Sequence, residues 1–146
     1  VQCSSQVGSI LKFKNFKLLC PNEREARVAL QDKDSGLEQI SNSILNITNC
    51  DNLIMKLGSE GFIAYKKEIG GYIKRQSFPA LSVNPLDVAG AGDSLIALMA
   101  TAISSGQPIM ATAAIGCCIS SIAVETMGNS PINFDALRYK ITEIMN

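Results

Sequence analysis

Residues 87–94 read Asp-Val-Ala-Gly-Ala-Gly-Asp-Ser, and an apolar run, LIALMATAISSG, follows at 95–106. The spacing predicts a helix that opens just after two glycines. The first turn of a helix leaves backbone N–H groups without partners, and the helix dipole adds partial positive charge there. Gly90 and Gly92 let the chain curl so that several of these groups converge on one spot, which makes an anion hole. Two phosphate motifs are excluded. A Walker loop needs GxxxxGKS or GxxxxGKT, and no Lys follows here. A dinucleotide fingerprint needs a third glycine where Leu95 stands. The distinctive residue is Asp93. Beside an anion hole, a carboxylate can take the proton of a hydroxyl as that hydroxyl attacks phosphorus. The hole then stabilises charge on the transferred phosphoryl oxygens. The plain alternative is a glycine turn with Asp93 capping the helix.

The chain has 146 residues, 47% of them hydrophobic, and a formal net charge of zero. That is enough for one domain with a real core, and it argues against a nucleic-acid surface or a disordered tail. No apolar run reaches the roughly 18 residues of a membrane span, and no stretch reads as a signal peptide. Histidine is absent. Acid–base chemistry therefore falls to carboxylates, Lys, Tyr or Cys. Cys3, Cys20, Cys50, Cys117 and Cys118 form no CxxC pair and no zinc spacing. They read as packing residues of a reduced, cytoplasmic chain. Val1 stands where a Met would, so the chain reads as starting inside a larger protein.

Outward from the glycines, the pattern alternates helices and buried strands. A short helix is expected over 6–14, a strand over 16–20 (FKLLC), and a helix after Pro21 in NEREARVALQ. Leu37, Ile40, Ile44 and Leu45 recur at helical spacing over 36–48. Residues 52–57 (NLIMKL) read as a buried strand, and 62–66 with 72–77 as a hairpin about Gly70-Gly71. Three helices finish the chain, over 94–104, 108–126 and 134–145, with Gly106 as a C-cap and Asn133 as an N-cap. This order predicts an α/β fold with a mostly parallel sheet and helices on both faces.

With these motifs in place, the sequence resembles the ribokinase-like, or PfkB, carbohydrate kinase family. The family's C-terminal signature is an Asp, two variable residues and then Gly-Ala-Gly-Asp, found here as Asp87-Val88-Ala89-Gly90-Ala91-Gly92-Asp93. The resemblance implies that Asp93 is the catalytic base and that Gly90, Ala91 and Gly92 are its anion hole. Ala89 departs from a common Thr and removes a hydroxyl near the phosphates. Upstream, Asn22-Glu23-Arg24-Glu25 is similar to the family's Asn-x-x-Glu, which orders Mg²⁺ and its waters. The same four residues form a capping-box pattern, and one Asn can serve both roles. Lys56-Leu57-Gly58-Ser59-Glu60-Gly61 is similar to the strand-end T-L-G-x-x-G, with Lys56 for the usual Thr. This implies nucleotide contacts at Gly58, Ser59 and Gly61.

The resemblance covers essentially the whole chain but only the C-terminal, ATP-binding part of the family's domain. The N-terminal sugar-binding part and its lid are not seen in 1–146, so the chain alone is expected to be inactive. The open sheet edge this leaves invites homodimerisation. Within the family, the chain looks most like heptose-phosphate kinases, the kinase half of ADP-heptose synthases. Three stretches carry that likeness: SSQVGSILKFKNFKLLCPNEREA, Asp-Val before the glycines, and the tail AVETMGNSPIN. The implied reaction is phosphorylation of D-glycero-D-manno-heptose 7-phosphate at the anomeric hydroxyl, with ATP and Mg²⁺. The tail implies Asn129 near the purine, and a monovalent cation, K⁺, beside Asp87, Val88, Gly128 and Ser130. The partner would be a sugar or sugar phosphate, with no nucleic acid and no membrane. Two alternatives stay open at this point. One is another sugar or nucleoside kinase of the same family. The other is a non-catalytic nucleotide-binding or structural module.

Overall fold

The computed structural model describes residues 10–82, 85–88, 90–128 and 130–146. Contacts divide the chain into two units, Val1–Ser77 and Phe78–Asn146. The four described cysteines, Cys20, Cys50, Cys117 and Cys118, are buried and form no disulfide among the described residues. No helix among the described residues is long and apolar enough to cross a membrane.

The first unit holds a four-stranded sheet in the order β1-β2-β3-β4: β1 (Leu18–Leu19), β2 (Asn52–Lys56), β3 (Phe62–Lys67) and β4 (Ile73–Phe78). The sheet is mixed. β1 pairs parallel with β2, whereas β2 pairs antiparallel with β3, with Leu53 opposite Tyr65 and Met55 opposite Ile63. The expected parallel pairing is thus found at β1–β2, and the hairpin supplies the antiparallel part. Gly70 and Gly71, at φ 91° and 82°, make the left-handed turn between β3 and β4. The first four residues of β2 are buried whichever face they point to, as expected of a strand covered on both sides.

Two helices accompany this sheet, α1 (Glu23–Leu30) and α2 (Leu37–Thr48). α2 buries Ile40, Ile44 and Leu45, three of the four positions that its sequence spacing predicts, and the fourth, Leu37, is partly buried against the same core. These side chains join Leu19, Ala26, Leu53, Met55, Ile63 and Tyr65 in one apolar core. Each large aliphatic side chain buried there contributes about 1.5–3 kcal/mol.

Of the short helix expected over 6–14, residues 6–9 lie outside the described residues, and the described part forms one 3-10 turn, Ile10–Lys12. The strand expected over 16–20 shrinks to Leu18–Leu19. At its start, the Asn52 side chain donates to the Lys17 carbonyl at 2.8 Å. At its end, Pro21 has no N–H to give.

The second unit holds α3 (Ala91–Ser104), α4 (Ile109–Glu125) and α5 (Phe134–Met145). α3 packs on α4, and α4 packs on α5. α3 ends as expected: Gly106 takes φ 74°, its N–H donates to Ile103 and that of Gln107 donates to Ala102. Asn133 caps α5, its Oδ1 accepting from Ala136 N at 2.8 Å. In α4, burial pushes the Cys117 thiol up to about 11, and the neighbouring Cys118 adds to the rise. That thiol is protonated at neutral pH and acts as an apolar side chain.

An ion pair joins α4 to α5, with Lys140 Nζ 3.3 Å from Glu125 Oε1. Burial pushes the Glu125 carboxyl up, but hydrogen bonds from Ser121 and Lys140 and the Lys140 charge outweigh it and hold it below 4.5. A carboxyl lowered by folding adds stability above its unfolded value, and that stability is lost as pH falls through the folded value. Glu125→Gln should therefore cost about 0.5 kcal/mol at neutral pH and nothing once both states are protonated. Urea denaturation at pH 7 and at pH 3 tests this. An equal loss at both values would rule out the ion pair as its origin.

Candidate active site

In the first unit, the predicted motif residues gather where β1 and β2 end. The Lys56 N–H donates to the Pro21 carbonyl at 2.9 Å, and Asn22 forms a parallel β-bridge with Lys56. The two loops that leave the parallel strands are therefore held side by side, at the end of the sheet where α/β folds bind ligands.

Asn22 is the N-cap of α1. Its Oδ1 accepts from Glu25 N at 2.7 Å, and Glu25 Oε2 accepts from Asn22 N at 2.8 Å. This is the complete capping box that the sequence pattern allows. The Glu25 carboxylate is fixed on one oxygen by that bond. After β2, a 3-10 turn over Gly58–Glu60 closes with Leu57 N donating to Gly61 O (2.8 Å) and Gly61 N donating to Gly58 O (3.1 Å). Gly58 and Gly61 take φ 63° and 91°, a conformation that a side chain at either position would oppose.

Asn22, Lys56, Leu57 and Gly58 line one depression of about 510 Å³, together with Arg24 and Lys33. Ser59, Gly61 and Glu25 lie outside its lining. The cationic side chains of this depression were not read from the sequence as a group. Arg24 and Arg27 lie one helical turn apart, but Lys33 and Lys56 join them only through the fold.

In the second unit, Gly90 takes φ 82° and serves as the N-cap of α3 with no side-chain capping bond. α3 therefore starts at Ala91, three residues before the sequence pattern suggests. Ala91, Gly92 and Asp93 form its first turn, and the Asp93 side chain is exposed. The plain alternative, Asp93 as the cap, does not hold: Gly90 occupies that place.

The segment that leads to Gly90 is anchored on the end of α4. Leu86 N and Asp87 N both donate to the Val124 carbonyl, at 2.7 and 3.1 Å. Asp87 Oδ2 accepts from Gly128 N at 3.4 Å, and Ser130 N donates to Gly128 O at 3.0 Å. Asp87, Gly128 and Ser130 are thus brought together. Val88 is exposed. Asn129 and Ala89 lie outside the described residues.

The pfkB family carbohydrate kinase profile matches residues 8–134. The chain belongs to that family. Among curated relatives, the bifunctional protein HldE of Trichlorobacter lovleyi is 30% identical over 125 residues, which are 83% of this chain and 24% of that protein. HldE of Campylobacter curvus is 29% identical over 126 residues, 84% of this chain and 26% of the relative. The chain thus spans about a quarter of the length of these relatives. Solved structures share the fold. Escherichia coli phosphofructokinase-2, in complex with substrates and products, superposes with TM-score 0.79 at 17% identity, over 95% of this chain and 44% of that one. Ribokinase of Thermotoga maritima gives 0.73 at 23% identity, over 86% and 42%. The expected ribokinase-like α/β fold is borne out.

The capping box makes a direct test of the local geometry. Asn22→Ala should destabilise the chain by about 1 kcal/mol, whereas Asn22→Asp keeps an acceptor at the cap and should cost little. Thermal denaturation of both variants checks this, and an unchanged midpoint for the Ala variant would remove the cap from the account of α1.

Proposed function

We propose that the chain is the C-terminal, ATP-binding part of a sugar kinase domain that transfers the γ-phosphoryl group of ATP to a sugar hydroxyl. The observation that carries this reading is the opening of α3. Gly90, at φ 82°, is an N-cap with no side-chain partner, so the first-turn amides are left for an anion. Asp93, exposed in that same turn, is then the base that takes the proton of the attacking hydroxyl.

Asn22 and Glu25 are the residues for Mg²⁺. No cluster of three or more acidic or Cys side chains occurs among the described residues. One fixed carboxylate beside an amide fits an ion that keeps most of its waters and takes the rest of its ligands from nucleotide phosphates. Bound there, Mg²⁺ would supply charge neutralisation between the phosphates. Gly58, Ser59 and Gly61 approach the nucleotide, and Asn129 approaches the purine. Asp87, Val88, Gly128 and Ser130 surround a monovalent cation; the Asp87–Gly128 contact supports this grouping. E. coli phosphofructokinase-2, which shares the fold, has been solved in complex with potassium.

For the acceptor, the resemblance to heptose-phosphate kinases and the HldE relatives favour heptose 7-phosphate, phosphorylated to the 1,7-bisphosphate. A second reading keeps the reaction and changes the sugar. It is favoured by structural neighbours that include ribokinases and a phosphofructokinase.

Two measurements test the reading. Mg²⁺ and ADP in potassium buffer should raise the melting temperature of the folded chain saturably, and replacing Gly92 with a bulky residue should abolish the rise. No shift for a folded chain would overturn the nucleotide role. In the complete kinase domain, Asp93→Asn should lower kcat for sugar phosphorylation at least about 100-fold with little change in KM for ATP. Equal rates would remove Asp93 as the base, and a panel of sugars and sugar phosphates would identify the acceptor.

A further inference from the structure

The C-terminal end of α4 meets two other parts of the second unit. The last four carbonyls of a helix have no intrahelical partner. In α4 one of them, that of Val124, accepts from both Leu86 N (2.7 Å) and Asp87 N (3.1 Å). The segment that leads to Gly90 is therefore built onto the end of α4. Asp87 Oδ2 also accepts from Gly128 N, just beyond the helix.

That helix end gathers negative charge. Its carbonyls form the negative pole of the dipole, Glu125 adds a carboxylate, and the hydrogen bonds to Val124 bring a second one, Asp87. The last turn of α4 has no basic residue of its own. A cation comes instead from α5. Lys140 Nζ lies 3.3 and 3.4 Å from the two Glu125 carboxylate oxygens and 3.3 Å from Glu143 Oε2. Only 15% of the Lys140 side chain is exposed, which is unusual for Lys. Ser121, buried one turn back on α4, donates to Glu125 Oε1 at 2.9 Å. Glu125 is thus held by its own helix and by α5, next to the carbonyl that carries Leu86 and Asp87.

We propose, on the kinase reading above, that Lys140 is a positioning residue for phosphoryl transfer: by holding Glu125 it fixes the end of α4, and with it residues 86–88 and the opening of α3 at Gly90. Its effect passes through the backbone. Asp93 follows Gly90 by three residues, and a reacting group displaced by an ångström can cost about 100-fold in rate.

The test uses the complete kinase domain. Lys140→Met should lower kcat about tenfold with little change in KM for the sugar. Lys140→Arg keeps the charge and should stay within about twofold of the wild type. Leu137→Ala, at a half-buried position on the same helix, controls for a loosened α5: the melting temperature should fall and kcat should hold. Amide exchange at Leu86 and Asp87, followed by NMR, is a readout that does not depend on turnover. It should quicken in Lys140→Met and not in Leu137→Ala. Glu125→Gln removes the partner charge with little change of shape and should also lower kcat. Adding Lys140→Met to it should lower kcat little further, because groups that act as one unit are not additive. Unchanged kcat or unchanged exchange in a folded Lys140→Met domain would overturn the proposal. Matching effects of Leu137→Ala, or additive losses in the double variant, would do the same. Should Lys140→Met fail to fold, Glu125→Gln carries both readouts with the same expectations. A folded wild-type domain that transfers no phosphoryl group would remove the kinase reading and the catalytic part of the proposal with it, whereas exchange at Leu86 and Asp87 would still decide whether Lys140 positions that segment.

Discussion

A backbone hydrogen bond from Lys56 N to Pro21 O at 2.9 Å joins the two loops that carry the first unit's candidate site residues. It extends the parallel pairing of β1 and β2 beyond the last ladder residues and leads into the Asn22–Lys56 bridge. Pro21 can accept but not donate, so the continuous ladder breaks before it, and one bridge at Asn22 precedes α1. Because the strands are parallel, both exit loops leave at the same end of the sheet. One carries the capping box and the other carries the Gly58–Gly61 turn. Neither loop would find the other without β1, although β1 is only two residues long.

The second unit meets the same need differently. Its helix opening relies on backbone conformation rather than on side chains. Gly90 in the left-handed region starts α3 without a cap of its own, which leaves amide hydrogens for something external. A Ser or Asn at that place would satisfy one of them from inside the chain. The approach to Gly90 is steadied by the Val124 carbonyl, which accepts from both Leu86 and Asp87. With glycine at the N-cap in place of a capping side chain, the helix gives up only roughly a few tenths of a kcal/mol.

Charge is also arranged locally. A balanced chain of 13 basic and 13 acidic residues could scatter them evenly, as many soluble surfaces do. Here Glu125 and Lys140 tie two helices, Lys17 and Asp51 pair just ahead of β1 and β2, and cations collect around the depression beside α1. Arg27 contributes to structure rather than to net charge, because Glu23 and two carbonyls occupy its guanidinium.

Much of this was legible in one dimension. The α2 stripe, the Gly70-Gly71 hairpin, the Gly106 and Asn133 caps and the Asn22–Glu25 box are local. Their partners lie within a few residues, and period or turn chemistry fixes them. The Gly90–Asp93 run likewise announced a helix opening, though not its first residue, because Gly90's left-handed conformation set that. By itself the sequence determined the elements and the residue types that can handle phosphate. Tertiary structure alone decided the short β1, the antiparallel β2–β3 pairing beside it, the meeting of Asp87 with Gly128, and the gathering of Lys33 and Lys56 around α1. Those contacts span tens of residues, and they depend on strand pairing and core packing, whose geometry no local pattern encodes.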